Sequence, residues 1–361
     1  MKIRHITPWA LLLPLTLAAF VPSTARSASA DTLYTVTDLG NFGGTSAEGL
    51  GLNDRDQVVG DAHLAGDHAF HAFSWQMGTL TDLGTFGGQD SSATAVNERG
   101  QAVGGTALAN GSTDAFLYDH GVLRDIGNLG GAFARAQDIN NREQIVGLSR
   151  LPGNATVHGF VWQDGRMTDI GTLGGLNSAA FGINARGWVV GDADTAGGAA
   201  THAFLWQDGA FQDIGTLGGP FSAGLGVNNR GGVAGVSALS NNTGFAAFLW
   251  QDSAMTNLGT LDGDPDSQAL AINDRDQVVG WSGNQQGAVR AFLWHNGGLI
   301  DLNMLLPAGS GWQLRQANAI NARGDIAGVG VHNGVTAAFL LTRACGREEA
   351  APSDCATAAG S

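Results

Sequence analysis

HGFVWQDGRMTDIGTLGG (158–175) and HAFLWQDGAFQDIGTLGG (202–219) are nearly the same stretch, 44 residues apart. A repeat of this length constrains the fold more than any bulk property. Each copy has to be one supersecondary unit that buries its apolar faces against its neighbours. The period runs through the chain. An aliphatic residue followed by asparagine marks it at Asn53, Asn97, Asn140, Asn184, Asn228, Asn273 and Asn321, with intervals of 44, 43, 44, 44, 45 and 48 residues. Two residues on stand Arg55, Arg99, Arg142, Arg186, Arg230, Arg275 and Arg323. A glycine closes the next segment (Gly60, Gly104, Gly147, Gly191, Gly235, Gly280, Gly328). A phenylalanine marks the third, at Phe73, Phe116, Phe160, Phe204, Phe248, Phe292 and Phe339.

Each unit divides into four short segments with strand character, A to D, separated by turn residues. In the fourth unit A is SAAFGIN (178–184), B is WVVGDA (188–193), C is HAFLWQ (202–207) and D is AFQDIG (210–215). Asp208-Gly209 between C and D is a strong signal for a two-residue hairpin. Segment A carries small residues four before the asparagine (Gly49, Ala93, Ala136, Ala180, Gly224, Ala269, Ala317), as strands crowded around an axis require. Segment C is apolar on both faces, as in a sheet sandwiched between neighbours. The ends are permuted: LYTVTDLG (33–40) is a D segment alone, and AAFLLTR (337–343) is a C segment with no D after it. The expectation is an all-β, seven-bladed propeller of four-stranded blades, closed by the N-terminal strand completing the last blade. A β-solenoid is the alternative, although a solenoid wants atypical capping units instead.

Residues 1–30 read as a secretory signal peptide: Lys2 and Arg4, the apolar run 9–21, then Ala28-Ser29-Ala30. One propeller domain is expected over 31–343 and a tail over 344–361. Export to the periplasm or the cell exterior follows, with no membrane insertion after cleavage. Cys345 and Cys355 both fall in the tail, and an oxidising compartment permits a disulfide between them. From residue 31 onward the chain carries 15 arginines, no lysine and 32 acidic groups, a formal charge of −17. Such a surface argues against nucleic acid or anionic membranes as partners. A monomer is expected.

The motifs resemble the HAF repeat family of bacterial extracellular proteins. They stand here as His71-Ala72-Phe73 and His202-Ala203-Phe204, with degenerate copies His158-Gly159-Phe160 and Arg290-Ala291-Phe292. The DIGTLGG and GIN-x-RG elements also match, and the resemblance covers residues 33–343. It implies a secreted repeat protein and no defined activity. The seventh unit departs most, with Asp301-Leu302-Asn303 and Leu306-Pro307 in place of Asp-Ile-Gly and Gly-Gly.

Chemistry-bearing candidates are few. The B–C loops vary (HLAGDH, 63–68; RLPGNATVH, 150–158; SALSNNTG, 237–244), so the face that carries them is where binding is expected. Asp61, His63, Asp67, His68 and His71 are metal-ligand types at a spacing that matches no motif. Two copies of NDRDQVVG (53–60, 273–280) and DGDPDS (262–267) resemble fragments of calcium loops, more simply read as acidic turns. No cofactor is expected beyond a weak possibility of a divalent cation. The repeated arginines suit bracing of turn carbonyls or of a recurring aspartate such as Asp82 or Asp213. Gly174-Gly175 suits tight backbone better than phosphate binding, because it leads into a strand. No nucleophile motif is present. The expected function is a binding scaffold for a glycan, peptide or surface partner. The alternative is a propeller enzyme of the lactonase, lyase or hydrolase type.

Overall fold

A computed structural model describes residues 34–240, 243–284 and 289–344. The proposed signal peptide, Cys345 and Cys355 lie outside the described residues. The described residues form 28 strands, with a 3-10 turn at Leu302–Leu305.

Five sheets are separate and four-stranded. The first holds β2 (Gly43–Leu52), β3 (Val58–Leu64), β4 (Phe70–Gln76) and β5 (Thr79–Asp82). The second holds β6 (Gly87–Val96), β7 (Ala102–Leu108), β8 (Thr113–Asp119) and β9 (Val122–Gly127). The third holds β10 (Ala134–Ile139), β11 (Ile145–Arg150), β12 (Val157–Gln163) and β13 (Arg166–Asp169). Further on come β22 (Asp266–Ile272), β23 (Val278–Gly283), β24 (Val289–His295) and β25 (Gly298–Asp301). The final sheet joins both ends of the described chain: β26 (Trp312–Ile320), β27 (Ile326–His332) and β28 (Val335–Arg343), with β1 (Tyr34–Asp38) antiparallel to β28.

The expectation of seven separate blades meets one departure. The fourth and fifth units form a single eight-stranded sheet. It contains β14 (Gly174–Ile183), β15 (Val189–Thr195), β16 (Thr201–Gln207) and β17 (Ala210–Gly215), then β18 (Gly218–Val227), β19 (Val233–Leu239), β20 (Phe245–Gln251) and β21 (Ala254–Gly259). Each half is antiparallel within itself. One parallel pair, Thr201 with Phe221, joins them. The physical cause is local: the start of β16 lies close enough to β18 for a single ladder contact.

Core residues lie between sheets. Val59 and Ala72 of the first sheet cluster with Ala93 and Phe116 of the second. Val190 and Ala203 meet Val233 and Phe248. The circle closes where Ala327 and Leu340 of the final sheet meet Val58 and Phe73 of the first. All seven repeat phenylalanines are fully buried. Their partner glycines are forced by geometry: a Cβ on Gly191 would sit 1.9 Å from Ala179 O and 2.9 Å from the Phe204 ring. The small residues of segment A also answer to approach between sheets. A Cβ on Gly49 would meet Gly328 O of the final sheet at 3.3 Å. The C–D hairpins carry two consecutive left-handed residues, as at Asp208 (φ 49°) and Gly209 (φ 89°). That is the mirror-image turn that matches strand twist.

Candidate functional site

The repeat asparagines build the centre of the molecule. In each, Oδ1 accepts the backbone N–H two and four residues on, as Asn184 does from Arg186 and Trp188. The carboxamide Nδ2 then reaches the next unit. Asn53 donates to Asn97 O, Asn97 to Asn140 O, Asn140 to Asn184 O and Asn184 to Asn228 O. Asn228 donates to Asn273 O, Asn273 to Asn321 O, and Asn321 back to Asn53 O at 3.3 Å. The circuit closes on itself, and every member is buried. Sequence reading marked these residues as structural and missed that they touch one another.

Above this circuit, on the face of the A–B turns, opens an axial recess of about 260 Å³. Its wall is the aliphatic column before the asparagines, such as Leu52, Ile139 and Ile272, and its rim is the column after them. On the rim, Glu98 accepts Asp54 N–H, Asn229 accepts Ala185 N–H, Asp274 accepts Asn229 N–H, and Asp54 accepts Ala322 N–H. The rim carboxylates are thus partly committed to backbone donors.

Asp138 stands one residue behind the wall, next to Ile139. The equivalent positions in other units are Gly51, Ala95, Gly182, Gly226, Ala271 and Ala319. One Asp138 oxygen accepts Ile139 N–H and the other Ile183 N–H, each at 2.8 Å. The residue keeps some accessible surface, but its carboxyl is enclosed by protein. Burial pushes it up to about 7 against the pull of those two hydrogen bonds. Asp192 is also pushed up to about 7, by burial and then by the charge of Asp194.

A second recess, of about 220 Å³, opens on the opposite face, that of the variable B–C loops. The first three units contribute Phe70, Asp90, Ser92, Thr113, Phe133 and Arg135 to its lining. Beside it runs a part-buried polar chain. Asp61 Oδ2 accepts from Ser92 Oγ at 2.6 Å, and Ser92 Oγ accepts from Arg135 Nη2 at 3.0 Å. Gly105 makes room, since a Cβ there would lie 3.1 Å from Arg135 Cγ. Burial raises Asp61, opposed by the Ser92 hydrogen bond and by Arg135. Glu48, opposite Asp61 in the ladder, is raised by burial and then by Asp61. Arg135 is lowered by burial, with Asp61 opposing.

The other sequence candidates disperse. Of the five-residue cluster, Asp61 goes to Ser92, and His71 pairs with Asp82 at 2.8 Å. Asp67 accepts from Thr45, with His63 Nδ1 3.3 Å away at an angle that makes no hydrogen bond. No group of three or more ligating side chains that could hold a metal is present among the described residues. The NDRDQVVG copies serve the rim and the unit-to-unit bracing, and in DGDPDS Asp264 holds Arg290. Gly174-Gly175 is the start of β14, held by Thr172 Oγ1.

The arginines require a correction. Asp82 and Asp213 do not pair with them; those aspartates bind His71 and His202. Arg99 reaches Glu143, Arg230 reaches Asp276 and Arg323 reaches Asp56, each in the next unit's turn. Arg186 stacks on Trp188. The His–Asp pairs, His158–Asp169 among them, join strand C to strand D of one sheet. The signal was present as a fixed interval of eleven residues from His71, His158 and His202 to Asp82, Asp169 and Asp213.

No protein-family model and no curated protein matches the chain. Solved structures do. The β-propeller domain of the trilobed protease from Pyrococcus furiosus is similar at 8% identity and a TM-score of 0.55, over 88% of this chain and 100% of that one. An acylaminoacyl peptidase from Pyrococcus horikoshii is similar at 11% identity and a TM-score of 0.53, over 84% of this chain and 52% of that one. This chain thus spans about half of that peptidase. At these identities the likeness concerns the fold alone: the chain is an all-β propeller of four-stranded sheets.

Proposed function

We propose that this chain is an exported binding scaffold of seven blades, a HAF-type repeat protein that engages its partner on the B–C loop face. The count of seven takes the eight-stranded sheet as two blades sharing one ladder pair. Seven asparagines in one closed circuit support it. The observation that carries the binding reading is the departure from the repeat at the second recess. Where the chain places Glu48 with Asp61 and Ser92 beside Arg135, the fifth unit manages with Ala223 opposite Val236. The architecture does not need buried charge there. Desolvated charges are costly to a fold and are characteristic of functional sites.

The test is a thermal-shift survey of the protein from residue 31 onward against glycans, peptides, small metabolites and divalent ions. A ligand that binds the native state raises its melting temperature by mass action. A hit weakened by Arg135→Gln supports the reading. No hit in the whole survey, or hits indifferent to every substitution on the B–C face, refutes it.

Asp138, enclosed one residue behind the wall of the axial recess, favours a second reading, an enzyme acting there. A carboxyl at about 7 is poised for proton transfer near neutrality. A hydrolase, lactonase or lyase activity abolished by Asp138→Asn, with B–C-face binding unchanged, would replace the scaffold reading.

A further inference from the structure

The Arg135 guanidinium is underused. It has five N–H donors. Among the described residues its one hydrogen bond is to Ser92 Oγ. Nε is buried with no acceptor at all. Buried donors in native proteins are ordinarily satisfied, so a group left in this state points to a missing acceptor. The same recess presents Asp90, of which one oxygen accepts Phe70 N–H at 3.2 Å. It also presents two phenyl side chains, Phe70 and Phe133, the latter with the Arg150 guanidinium 5.9 Å from its ring centre.

Charge decides the ligand class. An anion would suit Arg135 alone, yet Asp90 shares the lining and Asp61 already opposes the guanidinium through Ser92. The chain as a whole carries a formal −14, which repels anions before they arrive. A cation would face Arg135. A neutral molecule with adjacent hydroxyls meets both groups: one oxygen accepts from Arg135 while the neighbouring hydroxyl donates to Asp90. Phe70 and Phe133 offer apolar surface to the C–H face of such a molecule. A recess of about 220 Å³ suits one ring, with longer ligands continuing into solvent.

Resting on the scaffold reading above, we propose that this recess binds one neutral pyranose residue of a glycan through a vicinal diol. Arg135 is the donor, Asp90 the acceptor, and Phe70 and Phe133 the apolar walls.

The experiment is titration calorimetry with saturation-transfer NMR, on the protein from residue 31 onward. The probes are methyl glycosides of neutral hexoses and 6-deoxyhexoses, the matching uronates and inorganic sulfate. At least one neutral glycoside is expected to bind. Its affinity is expected to fall at least about tenfold, or about 1.4 kcal/mol, in Arg135→Gln and in Asp90→Asn. Arg166→Gln, on an exposed strand elsewhere, is expected to match the parent. Melting temperatures are measured first. If Arg135→Gln does not fold, Phe133→Leu carries the test, because it keeps the guanidinium and removes a wall. Preference for the uronate or sulfate overturns the neutral-diol assignment. Neutral binding unchanged by all three substitutions overturns the location. No binding by any monosaccharide, with ordered water satisfying Arg135, overturns the inference. In that last case a survey hit that still depends on Arg135 leaves the scaffold reading standing.

Discussion

Replacing Asp138 with asparagine isolates one buried ionisation. Asparagine keeps an oxygen for one of the two backbone donors, Ile139 or Ile183, and cannot ionise. The carboxyl moves from an ordinary 3.8 to about 7 on folding. At about 1.36 kcal/mol per unit the upper bound is about 4 kcal/mol, and relaxation of the surroundings on ionisation reduces the expected effect to roughly 2–3 kcal/mol. The sign follows from proton counting. Between the two values the folded protein holds a proton that the unfolded chain releases. Parental stability therefore falls as pH rises through that window, and this contribution is flat above about 7. The variant lacks that slope. Urea unfolding of both proteins across about pH 4 to pH 8 should show the variant gaining roughly 2–3 kcal/mol relative to the parent as pH rises. Groups common to both cancel in the difference. A difference that does not change with pH would show that Asp138 is solvated like a surface carboxylate, and the second functional reading would fall with it.

Three further outcomes are expected. Asn184→Ala removes a donor to Asn228 O and leaves Arg186 and Trp188 N–H without their acceptor; a loss of about 2–4 kcal/mol in denaturant unfolding is expected. Gly191→Ala places a methyl 1.9 Å from a carbonyl oxygen and against the Phe204 ring, so soluble yield should collapse or stability drop by more than about 3 kcal/mol. Deletion of residues 31–40 strips β1 from β28 and removes the Tyr34 hydroxyl from Gly324 O. Light scattering and a broadened melt should report the bare edge, and a melt like the parent's would refute ring closure.

Much of the architecture was legible because it is periodic. The interval between asparagines, the glycine–phenylalanine pair and the permuted ends are each one-dimensional signals of a three-dimensional constraint. The site was less legible for the opposite reason. Arg135, Ser92 and Asp61 come from three successive units, and only folding places them in a line. A column-by-column reading reveals Asp138 as the one carboxylate in a column of glycines and alanines, and Arg135 as the one arginine in a column that also holds Glu48, Ser92, Ala179, Ala223, Gln268 and Gln316. It does not reveal what they touch. The arginine partners were misassigned because a recurring Asp in the same unit is nearer in sequence than an acidic residue in the next turn.

The pairing of β1 with β28 also sets a timetable. Thr35 finds its partner Thr342 across 307 residues, so the first of the described strands to be made is among the last to be paired. At about 5–20 residues per second the wait is on the order of 15–60 s. Throughout it, β1 has no native partner, and the loop-closure entropy of almost the whole chain is deferred to one late event. The excess of acidic residues, 32 against 18 basic ones, gives the waiting chain a net negative charge that opposes its association with other copies. A protein built this way completes its circle only when nearly all of it has been made.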